Sequence, residues 1–337
     1  MQINPRYWSA IFLVGAVFVV FLSSIFGAVN IDFIQMLHAL LKVFSMDEMN
    51  LSERIFIELR LSRVMLAFAT GSILALGGSI MQALFRNPIV EPGLIGTSSG
   101  AAFGASVFIV FGASWNLTAY AFALPICAFL GALLASILVF TFSYQKTGMN
   151  VLGILLVGVA LNALFLSGIG FLSYISRDPQ ARSITFWSLG SLSGANWQNT
   201  LVVWSALIAA FVSMLPLNKQ LQLFVLGEEN AAYLGVNVRQ LRIKVMLINV
   251  LMISVATAFV GVISFLGLII PHLYRLLSGN AHKFSLLNTA LFGGIFLCVA
   301  DLLSRMIFAP AELPLGVVTS LVGVPIFIIL LKRTNVI

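Results

Sequence analysis

The chain is divided into apolar runs of roughly 20 residues, the length a helix needs to cross the hydrocarbon of a bilayer, with short polar stretches between them. Such runs occupy about 8–28, 64–85, 93–113, 117–142, 151–175, 201–217, 285–307 and 315–331. A further stretch, 245–277, is too long for one span and is interrupted by Gly261, Gly267 and Pro271, so it divides into two, the second short. Backbone polar groups in lipid must be satisfied within the segment, and a helix does this alone. The pattern therefore predicts an all-α polytopic membrane protein with ten transmembrane helices per subunit, both termini on one side. Composition agrees, with 60% hydrophobic and 9% charged residues and a mean hydropathy of +1.07. No polar stretch is long enough for a separate soluble domain, so residues 1–337 read as a single transmembrane domain.

The basic residues choose an orientation. With the N-terminus inside, eleven fall in cytoplasmic segments (Arg6, Arg86, Lys146, Lys219, Arg239, Arg242, Lys244, Arg275, Lys283, Lys332 and Arg333). Seven fall outside (Lys42, Arg54, Arg60, Arg63, Arg177, Arg182 and Arg305). Positive-inside bias thus puts the N- and C-termini in the cytoplasm and explains the net charge of +7 without nucleic acid as a partner. The first run is too long for a signal-peptide core and reads as a retained span. The segment 29–59 is then the longest external loop, and 176–200 contains an interfacial helix around Thr185–Gly190, where Trp187 sits at headgroup level. Cys127 and Cys298 each lie alone in an apolar run and read as packing residues.

Most catalytic chemistry is missing from the sequence. There is no Gly-x-x-x-x-Gly-Lys-Ser/Thr phosphate loop, no His-Glu-x-x-His and no Gly-x-Ser-x-Gly. His38, His272 and His282 are scattered over loops and span ends, so no metal site is expected. Asp301 is the one acid placed within a span. Arg305, four residues on, offers an i,i+4 ion pair, a simpler role than a proton relay. Stripes of small residues recur at four-residue steps, Gly96, Gly100 and Gly104, then Gly71, Ala75 and Ser79; in lipid these let helices approach closely. The segment from Phe85 to Gly100, with Pro88, Glu91, Pro92, Gly93 and Gly96, demands irregular backbone between two spans. A weak echo of Arg63-Val-Met-Leu-Ala in Lys244-Val-Met-Leu-Ile hints at two halves of opposite orientation.

One polar island, Leu226 to Arg242, stands between long apolar runs. Its punctuation is that of a short helix. Gly227 is a candidate N-cap, Glu228 and Glu229 occupy the first turn where the dipole favours anions, and Gly235 suits a left-handed C′ position after Leu234. Asn237 can cap the next helix, which carries Arg239, Arg242 and Lys244. A solvated loop between spans is the plain alternative.

Four motifs in order resemble the iron-chelate, haem and cobalamin permease family of ABC importers. They are Phe85-Arg-Asn-Pro…Glu91-Pro-Gly-Leu-Ile-Gly…Ser99-Gly100, Gly227-Glu-Glu-Asn-Ala-Ala…Leu234-Gly-Val, Gly267-Leu-Ile-Ile-Pro-His272…Arg275, and Ala300-Asp-Leu…Arg305…Ala311-Glu-Leu-Pro-Leu-Gly316. The resemblance runs from about residue 55 to the C-terminus. It implies type II importer architecture, with a homodimer of ten-helix subunits, two separate ATPase subunits and a periplasmic or lipid-anchored substrate-binding protein, in a bacterial cytoplasmic membrane. ATP and Mg would sit on the ATPase, with no cofactor on this chain. The island, about 227–235, matches the family's coupling helix, so Gly227, Glu228, Glu229, Ala231, Ala232, Leu234 and Gly235 are the implied ATPase contacts. Arg60, Arg63 and Arg305 match arginines that pair with carboxylates of the binding protein, although the family commonly has Pro between the first two and this chain has Arg60-Leu-Ser-Arg63. Family gates map to Thr97, Ser98 and Ser99 and to Met149, Asn150 and Val151. The segment Ser176-Arg-Asp-Pro…Phe186-Trp-Ser-Leu-Gly190 looks closer to haem and siderophore members than to cobalamin ones. The rival reading is a secondary transporter driven by an ion gradient, which the scarcity of intramembrane acids disfavours.

Overall fold

A computed structural model describes residues 5–26, 33–45, 49–117, 120–145, 148–149, 151–278 and 285–333; Lys146, Asn150, His282 and Lys283 lie outside them. The fold is helical apart from one two-residue antiparallel pair, β1 (Tyr144–Gln145) with β2 (Gly148–Met149). Seven helical runs are long and apolar enough to cross a membrane. They are α1 (Pro5–Ile25), the run Leu51–Phe85, α6 (Ala123–Ser143), α7 (Val151–Ile175), α9 (Trp197–Met214), α12 (Val238–Val260) and α14 (Leu286–Met306). Three further apolar helices are α5 (Thr97–Phe111), α13 (Leu266–Ser278) and α15 (Leu315–Arg333). The remaining helices are α2 (Phe33–Ser45), α3 (Leu51–Arg54), α8 (Asp178–Ser188), α10 (Asn218–Val225) and α11 (Glu228–Tyr233).

The run Leu51–Phe85 is the axis of the molecule. It begins as α3, passes through a π-helical stretch (Ile55–Leu61) and continues as α4 (Ser62–Phe85), which is buried almost throughout. Small residues explain how neighbours reach it. A Cβ on Gly71 would fall on the carbonyl of Gly293 in α14, and one on Gly78 on that of Gly267 in α13. The second glycine stripe acts alike, for Gly100 and Gly104 of α5 lie against Gly131 and Cys127 of α6. The stripes are therefore helix contacts, in lipid the geometry that small residues permit.

Four expectations change. The segment 29–59 is not simply a loop, because its described part contains α2, α3 and part of the π-helical stretch. The break in 245–277 falls at Gly261–Phe265, where Gly261 (φ 79°) and Phe265 (φ 67°) take left-handed backbone; Gly267 and Pro271 lie inside α13. Proline is tolerated there for a visible reason. It leaves the carbonyl of Gly267 without its helical donor, and Gln82 of α4 supplies one from Nε2 at 3.3 Å. Residues Pro92–Ile95 form a short 3₁₀ turn, so α5 starts at Thr97 instead of 93. The interfacial helix, placed at Thr185–Gly190, begins earlier, at Asp178. Cys127 in α6 is partly buried, Cys298 in α14 fully, and both are free thiols.

Candidate functional site

Charged side chains gather at the two ends of α4, which at 1.5 Å per residue is roughly 36 Å long. At its C-terminal end lies the polar island, folded as the sequence punctuation predicts. Gly227 is the N-cap of α11 (φ 129°), and Gly235 (φ 84°) follows the C-cap Leu234. The Val236 N–H reaches back to the Ala231 carbonyl at 2.9 Å, closing the C-terminus. The Asn237 side chain accepts from the Gln240 N–H at 3.0 Å and starts α12.

The faces of α11 divide its candidate residues. Ala231 is buried against the bundle, whereas Glu229, Ala232, Tyr233 (88% exposed), Leu234 (62%) and Gly235 are open. Glu228 is partly enclosed and faces inward. Its Oε1 accepts from Arg242 Nη2 of α12 at 2.6 Å and lies 3.6 Å from Nη2 of Arg86, the left-handed C-cap of α4. Both guanidinium groups stand over the Phe224 ring at 5.9 Å, an arrangement in which the π face adds to the carboxylate's attraction. One carboxylate thus ties α11 to α4 and α12.

At the other end of α4 the charges are deeper. Asp301 of α14 (side chain 1% exposed) accepts from Arg63 Nε at 3.0 Å and Nη2 at 2.8 Å. Arg305 Nε lies 3.0 Å from the second oxygen of Asp301, an ion pair whose N–H is turned toward the Asp301 backbone carbonyl. Arg63 also grips Glu312 through Nη1 at 2.8 Å and Nη2 at 2.9 Å. This bidentate contact holds the Glu312 carboxyl, in the loop after α14, below the usual carboxylate range. Arg305 donates further to the carbonyls of Ser23 and Phe26 at 3.2 Å, and Arg60 to those of Ser24 and Ile25. The expected Asp301–Arg305 pair is present, but Arg63, 238 residues away in sequence, shares it. Arg60, Arg63 and Arg305, read from the sequence as surface docking groups, are largely enclosed and engaged within the chain.

The gate residues separate. Thr97 is buried with its hydroxyl on the Pro92 carbonyl. Ser98 and Ser99 line a cavity of about 630 Å³ between α5, α7 and α8. The Ser99 hydroxyl donates to Oδ1 of Asn162 in α7, with the Gly96 carbonyl as an alternative acceptor at 3.3 Å. Met149 lies in β2 and Val151 opens α7; Asn150 is outside the described residues. Asn162 escaped sequence reasoning, although a lone amide in a 25-residue apolar helix is itself a signal. Among the described residues, no three His, Cys, Asp or Glu side chains gather as a metal site would need.

The FecCD transport family matches residues 15–333. The chain belongs to that family. The hemin transport system permease protein of Yersinia pestis is 40% identical over 332 residues, covering 98% of this chain and 97% of its own. A vitamin B12 import system permease protein from Salmonella paratyphi A is 35% identical over 281 residues, 82% and 83% of the two chains. A solved metal-chelate type ABC transporter in an inward-facing conformation superposes with a TM-score of 0.84 at 30% identity, over 98% of this chain and 100% of that one. PsaBC from Streptococcus pneumoniae shares the fold at 17% identity, with a TM-score of 0.55 over 83% of this chain and 93% of that one. The chain is the multi-pass membrane permease of an ABC importer, a transport subunit and not an enzyme, with ATP hydrolysed on a separate subunit.

Proposed function

We propose that this permease forms a homodimer that moves haem or a related iron chelate into the cytoplasm by alternating access, with two ATPase subunits docked on α11. The observation that carries the reading is the division of α11 into an open face and an anchored one. Tyr233 and Leu234 offer apolar area to a groove in a partner, while Glu228 links α11 to α4 and α12 and so passes displacement to them. ATP and Mg belong to the ATPase, and this chain carries no cofactor of its own. Residues 1–337 act as one domain of ten spans, with α5, α13 and α15 joining the other seven runs. The α11 end faces the cytoplasm with both termini, and the membrane is the bacterial inner membrane. The haem preference is supported by the greater identity to the hemin permease than to the vitamin B12 one.

At the opposite face a periplasmic or lipid-anchored binding protein docks by carboxylates. Arg63 already holds two carboxylates, so a partner must displace Glu312, the more exposed of them. The Ser98 and Ser99 cavity is part of the path. The decisive experiment is haemin uptake into proteoliposomes holding the permease, its ATPase subunits and the binding protein. Uptake that needs ATP and all three components is expected; uptake by the permease alone from a proton or sodium gradient would replace this reading with a secondary transporter.

A further inference from the structure

The cavity of about 630 Å³ between α5, α7 and α8 is lined mainly by apolar groups, yet four of its side chains are donors without employment. The hydroxyls of Ser98, Ser173 and Ser188 make no hydrogen bond with any described residue, and Asn162 uses only its carbonyl oxygen, which accepts from Ser99. This differs from other hydroxyls on the same helices and on α6, including Thr185 of the lining itself. Ser106, Ser136, Ser167 and Thr185 each return their hydroxyl to the carbonyl four residues earlier, the usual way a helix in lipid silences such a group. All four are part-exposed to the cavity, so together they offer donors to an occupant rich in acceptors.

Resting on the path reading above, we propose that these donors form a transit subsite for the carboxylate oxygens of the cargo, with the Asn162 amide as its principal contact. Neutral donors suit a path. They replace lost hydration of an anionic oxygen without the deep trap that a lysine or arginine would create, so the cargo is accepted and released. No cation competes for the oxygens, because the cavity lining contains no basic side chain.

The test compares initial uptake of haemin and of its dimethyl ester, whose carboxylates are masked, in proteoliposomes holding the complete importer. Asn162→Leu is expected to lower haemin uptake about tenfold while leaving the ester within about twofold. Asn162→Asp, which sets a like charge against the carboxylates, should lower the haemin-to-ester ratio further. Ser173→Ala and Ser188→Ala break no hydrogen bond seen in the protein, so folding is not at issue; each should lower the ratio about twofold to threefold. A ratio unmoved in all four variants would mean that the donors hold water only, and would overturn the subsite while leaving the importer intact. Equal loss for both probes would assign the residues to architecture and overturn it too. A wild-type importer that moves neither probe would overturn the haem reading together with the subsite.

Discussion

The two ends of α4 carry the same device, one carboxylate between two arginines, and use it oppositely. Asp301 has a side chain 1% exposed and locks α4 to α14, whereas Glu228, 37% exposed, ties α4, α11 and α12 across a partly wet gap. Charges in a low-dielectric interior interact strongly and pay heavily for losing a partner, while half-solvated pairs are worth about 0–1 kcal/mol and rearrange easily. Burial, more than residue type, separates the fixed fastening from the adjustable joint. An importer that must swing needs both.

That contrast can be broken by mutation. Asp301→Asn leaves Arg63 and Arg305 without their shared anion and should cost about 3–5 kcal/mol, seen as a lower melting temperature in detergent; a loss under about 1 kcal/mol would erase the difference between the ends. Glu228→Gln should cost less than about 1 kcal/mol yet reduce ATP-driven uptake by roughly tenfold, with ATPase affinity almost unchanged. Tyr233→Ala has the converse signature: ATPase affinity falls about tenfold, or ~1.4 kcal/mol, in a pull-down titration. If Glu228→Gln instead releases the ATPase as strongly as Tyr233→Ala, the division of α11 into two faces is wrong.

Smaller effects sharpen the picture at the binding-protein face. Glu312→Gln should tighten binding-protein association about threefold, within the ~0.2–1 kcal/mol of an exposed pair, by surface plasmon resonance. Acid should act the other way, because it neutralises the partner's docking carboxylates before it reaches Glu312. Because the folded-state value of Glu312 is depressed, its bond to Arg63 is complete at neutral pH and is lost as pH falls below the ordinary carboxylate range. The least effect is that of salt. Raising ionic strength from 0.05 to 0.5 M should loosen the Glu228 ties by a few tenths of a kcal/mol and leave Asp301 untouched, since screening reaches only the solvated pair.

Hydropathy alone made most of the helices legible, because each apolar run must satisfy its own backbone. The cap residues Gly227, Gly235 and Asn237 were legible too, being local chemistry within a few residues. Long-range partners were not. Nothing near Arg63 announces Asp301 or Glu312, so three arginines that read as surface contacts turned out to be largely enclosed. α2 was hidden because it lies inside a long stretch between two membrane-length runs. The π-helical stretch has no composition of its own. Asn162 was passed over because one amide among 25 mostly apolar residues resembles packing until its cavity is seen.

The chain's two thiols lend themselves to measurement. A maleimide must reach a thiol to label it; Cys298 is buried in α14, and Cys127 is partly buried on the apolar helix α6. A cysteine placed at Tyr233, on the open face of α11, would therefore take a fluorophore almost alone in the otherwise native chain. The swing of the coupling element could then be timed, turnover by turnover, without first rebuilding the protein.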